Sequence, residues 1–184
     1  MAKQAQTQIS ASAEKLYATS EDFRKILGED LVRLYQLSFL LTGNHQKAER
    51  CFEAGIRACA NQNQVFREWA RVWTKRVMAE NAIRELTPRP TRSNSSLPPF
   101  VRSQESGNQT AYFDADALLG LADFERFVFV LRVLERYSEN ECAVLLGSSR
   151  SNVREACTCA IKKLAELTRL SERSVVDGAI QKAL

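Results

Sequence analysis

Ser138-Glu139-Asn140-Glu141-Cys142-Ala143-Val144-Leu145-Leu146-Gly147-Ser148-Ser149-Arg150-Ser151-Asn152-Val153-Arg154 contains a helix start, a helix stop and a second start within 17 residues. Ser138 followed three places on by Glu141 has the form of a capping box, in which each side chain accepts from the other's backbone N–H. Gly147 is the residue type that closes a helix in the left-handed conformation. Ser149 is suited to cap the helix that follows. Ala143 is small enough for two helices to pack closely, and Val144 and Val153 are expected to fill the space between them. A short helix, a tight glycine turn and a longer helix fit a helix-turn-helix; a plain helical hairpin has the same outline.

A helix-turn-helix presents the first turns of its second helix to base edges in the major groove. Here those turns carry Arg150, Ser151, Asn152 and Arg154. Arginine can donate twice to guanine, and asparagine can pair its amide with adenine. Ser149 and Ser151 suit phosphate oxygens, and Lys162 and Lys163 suit phosphates or solvent. The competing reading is an ordinary exposed helix face.

Outward from this segment, the whole chain reads as helix. Strand-like alternation is absent, and glycine and proline fall between the periodic segments. Helices are expected from Ser12 to Leu27 (closed by Gly28), Asp30 to Thr42 (closed by Gly43-Asn44), Gln46 to Ala60, and Val65 to Leu86. Further helices are expected from Asp114 to Leu121, Asp123 to Glu135, Ser138 to Leu146, and Ser149 to about Leu170. All four prolines lie between Thr87 and Tyr112, among serines and asparagines, which reads as a linker. The expected organisation is all-α, with two small helical domains on a flexible linker, the second holding the helix-turn-helix. Its boundaries are an N-terminal extension over 1–28, a helical domain over 29–87, the linker over 88–112, the second domain over 113–170 and a tail over 171–184.

The chain has 184 residues, 45% of them apolar and 26% charged, as in an ordinary soluble protein. No apolar run is long enough to span a bilayer, and the polar start is unlike a signal peptide, so a cytoplasmic protein without membrane insertion is expected. Five cysteines without paired CxxC spacing read as free, mostly buried thiols, with no metal and no cofactor. The lone His45 sits in a turn, leaving no second histidine as a base for a nucleophile. No glycine-rich phosphate loop is present, so an enzyme is not expected.

Net charge is +4, but its distribution is uneven. Residues 57–92 and 147–170 are basic, and 113–146 are acidic. Two basic segments fit two surfaces facing a polyanion; solvated helix faces fit equally well. In the first basic segment, Arg67, Arg71, Lys75, Arg76 and Arg84 are interleaved with Trp69 and Trp73. Such interleaving suits single-stranded or melted nucleic acid, on which rings stack. Trp69 and Trp73 are also four apart, as a buried stripe on one helical face would be.

Leu34-Tyr35-Gln36-Leu37-Ser38-Phe39-Leu40-Leu41-Thr42-Gly43-Asn44, Lys47-Ala48-Glu49 and Phe66-Arg67-Glu68-Trp69 are similar to the sigma region 2-like domain of the extracytoplasmic-function (ECF) sigma factors, and the order of parts resembles that family. Ala117-Leu118-Leu119-Gly120-Leu121, Phe127-Val128-Phe129-Val130-Leu131-Arg132, Glu141-Cys142-Ala143-Val144-Leu145-Leu146-Gly147 and Ser151-Asn152-Val153-Arg154 are similar to the region 4-like domain. The resemblance implies a non-catalytic initiation factor that joins core RNA polymerase and promoter DNA, with an anti-sigma factor as a further partner. It implies that Ala48, Glu49, Phe52 and Glu53 dock on core polymerase, and that Arg67 to Arg84 meet the melted strand. It also implies that Ser149, Arg150, Ser151, Asn152, Arg154 and Lys162 bind the upstream element. The Asn61–Gln64 loop is shorter than the family's base-capturing loop, which implies weaker base-specific melting. Two rivals are a DNA-binding regulator that never joins the polymerase and a degenerate sigma-like module that binds protein alone.

Overall fold

The computed structural model describes residues 16–60, 65–90 and 115–181. It is all-α. Among the described residues only one isolated backbone bridge, between Tyr17 and Phe66, has extended pairing. The chain forms two compact units that divide after Thr87.

The first unit packs three helices against one another: α1 (Ser20–Thr42), α2 (His45–Ala60) and α3 (Ala70–Leu86). Helix α1 starts at Thr19, whose hydroxyl accepts from the Asp22 backbone while the Asp22 carboxylate accepts from Thr19. These hydrogen bonds and the Arg67 guanidinium hold the Asp22 carboxyl below the usual carboxylate range. The expected break at Gly28 does not occur, and the helix runs straight through it. The reason is packing. Phe23, Asp30, Leu34, Leu37 and Leu41 keep helical spacing across Gly28 and are all buried. That continuous inner face outweighs the cost of about 1 kcal/mol for one glycine in a helix. Residues 12–15 of the expected earlier helix lie outside the described residues. Gly28 is exposed, and a Cβ there would meet nothing within 4 Å. Gly28→Ala should therefore stabilise this unit by roughly 0.5–1 kcal/mol. A urea midpoint that falls instead would contradict an unbroken α1.

Gly43 closes α1 in the left-handed conformation, at φ 66°, as its position predicts. The expected helix from Val65 to Leu86 begins differently. Arg67–Trp69 form a 3-10 turn, and α3 starts only at Ala70. The Asn61–Gln64 loop lies outside the described residues. Ser38, Thr42, Thr74 and Asn81 are buried but return their side-chain hydrogen bonds to carbonyls four residues back.

The second unit contains α4 (Ala115–Leu119), α5 (Asp123–Phe129), a π-helical turn (Val130–Leu134), α6 (Glu139–Leu145) and α7 (Arg150–Gln181). Phe127, Val128, Phe129, Val130 and Leu131 are all buried, so the stretch from the end of α5 into its π turn is covered on every side. Arg126 is also buried. Its guanidinium donates to the Leu119 and Leu121 carbonyls and pairs with Asp123 at 2.6 Å. Helix α7 continues to Gln181 without a break, so most of the expected tail over 171–184 extends the preceding helix. No helix among the described residues is long and apolar enough to cross a membrane.

All five cysteines are free; Cys51, Cys59 and Cys142 are buried, while Cys157 and Cys159 are partly exposed. Desolvation pushes the Cys51 and Cys142 thiols up to about 11 and raises Cys59 as well. Because the thiolate is the nucleophile, iodoacetamide at neutral pH should alkylate Cys157 and Cys159 in the native protein. The other three should react only in denaturant. Early labelling of Cys51, read by peptide mass spectrometry, would contradict its packing.

Candidate nucleic-acid interface

The junction of α6 and α7 is built by local rules. Ser138 and Glu141 form the expected capping box. Gly147 adopts φ 56°, and the next residue, Ser148, donates its backbone N–H to the Ala143 carbonyl at 3.0 Å. That six-to-one bond closes α6 with glycine in the one conformation a side chain would strain. Ser149 accepts from the Asn152 backbone at 3.1 Å and so caps α7. Val153 is fully buried, and Ala143 is buried as well. Val144 is not: it is 75% exposed. In the short α6 the inward positions are Cys142, Ala143 and Leu146, and residue 144 turns away from them.

The first turns of α7 present Arg150, Ser151 and Arg154 to solvent, with Asn152 half-buried and Lys162 exposed further along. The arginines, Ser151 and Asn152 are already engaged with neighbours. Both arginines converge on Glu139, the first residue of α6. Arg150 donates Nε–H to Glu139 Oε1 at 3.3 Å. Arg154 donates Nη2–H to Oε1 at 2.9 Å and Nε–H to Oε2 at 3.4 Å. The Arg154 hydrogen bond, with that of Arg150, holds the Glu139 carboxyl below its usual range. Ser151 donates to Glu155 at 3.2 Å, and the Asn152 amide donates to Ser148 at 3.1 Å. Lys163 pairs with Glu125 of α5 at 2.7 Å, so it ties α7 to the core of its own unit. The acidic segment thus turns Glu125 and Glu139 onto the second basic segment, where sequence order alone set the two apart.

The basic residues of the first unit are similarly engaged. Arg67 pairs with Asp22 at 3.1 Å, Arg71 with Glu29 and the buried Asp30, and Arg76 with Glu80 at 2.9 Å. Arg84 donates to Asn81 at 3.0 Å and lies 3.9 Å from Glu80. Lys75 is half-buried. The two tryptophans do not share a face, because the 3-10 turn separates Trp69 from α3. Trp73 packs edge-on to Phe23, with ring centroids 5.5 Å apart, beside the core. Trp69 is 60% exposed and meets Phe66, which stacks on Tyr17 at 5.0 Å. Leu16, Phe66, Arg67, Glu68 and Trp69 line an open cleft there.

On α2, Glu49 and Glu53 are exposed, Glu53 within 3.4 Å of Arg57. Phe52 is half-buried, edge-on to Tyr35 at 5.9 Å. Ala48 faces inward and is fully buried, so it lines the core rather than a docking surface. His45 is more than a turn residue. Its Nδ1 lies 3.0 Å from the Tyr35 hydroxyl, and its ring stacks on Phe39 at 4.3 Å. The aromatic spacing Tyr35, Phe39, His45 was the available signal.

The described chain superposes on the solved structure of the sigma factor RpoE, determined in complex with the anti-sigma factor NepR from Bartonella quintana. The TM-score is 0.50 at 17% identity, covering 81% of this chain and 98% of that one. The fold is sigma-factor-like. No protein-family model matches the chain, and no curated protein matches it. At that identity the sigma-like likeness is one of backbone path, and the side chains of α2, α3 and α7 carry their own chemistry.

Proposed function

We propose that this chain is a non-catalytic, cytoplasmic RNA polymerase sigma factor of the ECF type. The observation that carries the reading is a sigma-like backbone covering nearly the whole length of a solved sigma factor, with Arg150, Ser151, Asn152 and Arg154 at the start of α7. The first unit, whose helices run from α1 to α3, would dock on core polymerase through Glu49, Phe52 and Glu53. The second unit, whose described helices run from α4 to α7, would read duplex DNA as a helix-turn-helix, with Ser149 and Lys162 at phosphates. Residues 88–112, of which 91–112 lie outside the described residues, would be the linker between them. An anti-sigma factor is a further partner in this reading, because the solved neighbour is bound to one.

A second reading is favoured by the paired arginines of the first unit. Arg67, Arg71, Arg76 and Arg84 each face a carboxylate, which leaves less positive charge for a melted strand. A sigma-like module that binds protein without opening DNA fits that pattern. Pull-down of purified core RNA polymerase, followed by run-off transcription over genomic fragments, separates the two. Core binding with start sites absent from a core-only control is the expected result. Core binding without new transcripts would favour the module, and no core binding would overturn both.

A further inference from the structure

We infer that Glu139 is a positioning residue for base readout, holding Arg150 as the reader and Arg154 as its brace. This inference rests on the reading of α7 as a DNA-facing helix. Glu139 lies outside α7, and its side chain is 18% exposed, sheltered beneath two arginines that are 63% and 66% exposed. It plays no part in capping its own helix, since Ser138 and Glu141 already complete that box. Its carboxylate is therefore free for the arginines alone.

The two arginines engage it differently. Arg154 spends the Nε–Nη2 edge of its guanidinium on both carboxylate oxygens. That is the fork otherwise used on a guanine or a phosphate. Arg150 spends only Nε. Its two terminal nitrogens have no partner among the described residues, and they form the second parallel pair of donors that guanine O6 and N7 accept. A guanidinium pinned at Nε also has fewer rotamers to lose on docking, so the carboxylate preorganises the end that reads. At the same time one negative charge beneath two positive ones limits indiscriminate attraction to phosphates. Removing it should free both side chains to reach the backbone, which adds salt-dependent, sequence-independent affinity. Glu139 thus exchanges non-specific binding for discrimination.

The test is selection of randomised duplexes by the full chain and by its Glu139→Gln, Arg150→Ala and Arg154→Ala variants. Salt titration on one unselected duplex accompanies it. Glutamine keeps the shape and the capping box, and circular dichroism checks that the fold is unchanged. Glu139→Gln should relax the same base position that Arg150→Ala relaxes, with about a tenfold loss of preference there. It should also bind the unselected duplex more tightly, with a steeper salt dependence. A residue of purely structural importance would weaken both kinds of binding together. Unchanged or sharpened preference in Glu139→Gln, while Arg150→Ala relaxes a position, would overturn the role of Glu139 and leave the DNA-facing reading intact. No enriched sequence for the unmodified chain would overturn both.

Discussion

Alanine at both Arg150 and Arg154 should cost roughly 1–3 kcal/mol for each base-edge interaction removed, a fall of about 5- to 150-fold per interaction in affinity for the selected duplex. Two effects add. The guanidinium donors disappear, and Glu139 is left at the α6–α7 junction without the two cations that face it. An uncovered carboxylate then faces the phosphates. Adding Glu139→Gln to the double variant should recover part of the sequence-independent binding but none of the discrimination. Fluorescence anisotropy on matched and unmatched duplexes reads both. Unchanged binding by the double variant would remove α7 from the DNA surface.

The largest stability effect is expected at Phe127→Ala. Phe127 is fully buried in α5, the helix that packs against the π turn and α7. Truncating such a ring costs about 3–5 kcal/mol. A small single-core unit holds on the order of 3–5 kcal/mol in all, so the second unit should be largely unfolded in the variant. Both tryptophans of the chain, Trp69 and Trp73, lie in the first unit. In urea, the tryptophan fluorescence transition should therefore keep its midpoint while helical circular dichroism loses amplitude before denaturant is added. A fluorescence midpoint that moves with the ellipticity would show instead that the units unfold together.

The α6–α7 junction was legible in the sequence because its signals are local. The Ser138–Glu141 box, the left-handed Gly147 and the Ser149 cap each span four residues or fewer, and all three form as read. What escaped depends on distance along the chain. Glu139 meets its arginines 11 and 15 residues away, and Glu125 meets Lys163 at 38. No spacing rule within one helix anticipates those pairs. Arg126 reads as one cation in an acidic stretch, yet it is buried because the carbonyls ending α4 need a donor. Gly28 failed as a terminator for the opposite reason. Its local preference was clear, and the packed face of α1 overrode it.

The buried run Phe127-Val128-Phe129-Val130-Leu131 has one more consequence. Its residues are aromatic or branched, without charge, glycine or proline, so once exposed it favours stacked intermolecular β-structure. The native unit hides it as a helix wrapped on all sides, and Arg126 and Arg132 flank it as charged gatekeepers. Heating should therefore end in aggregate that does not redissolve on cooling, and a dye that binds amyloid should report it. Substituting Val128 by lysine would remove that hazard only by destroying the core that conceals it, so the same five side chains set both the unit's cohesion and its route to precipitation.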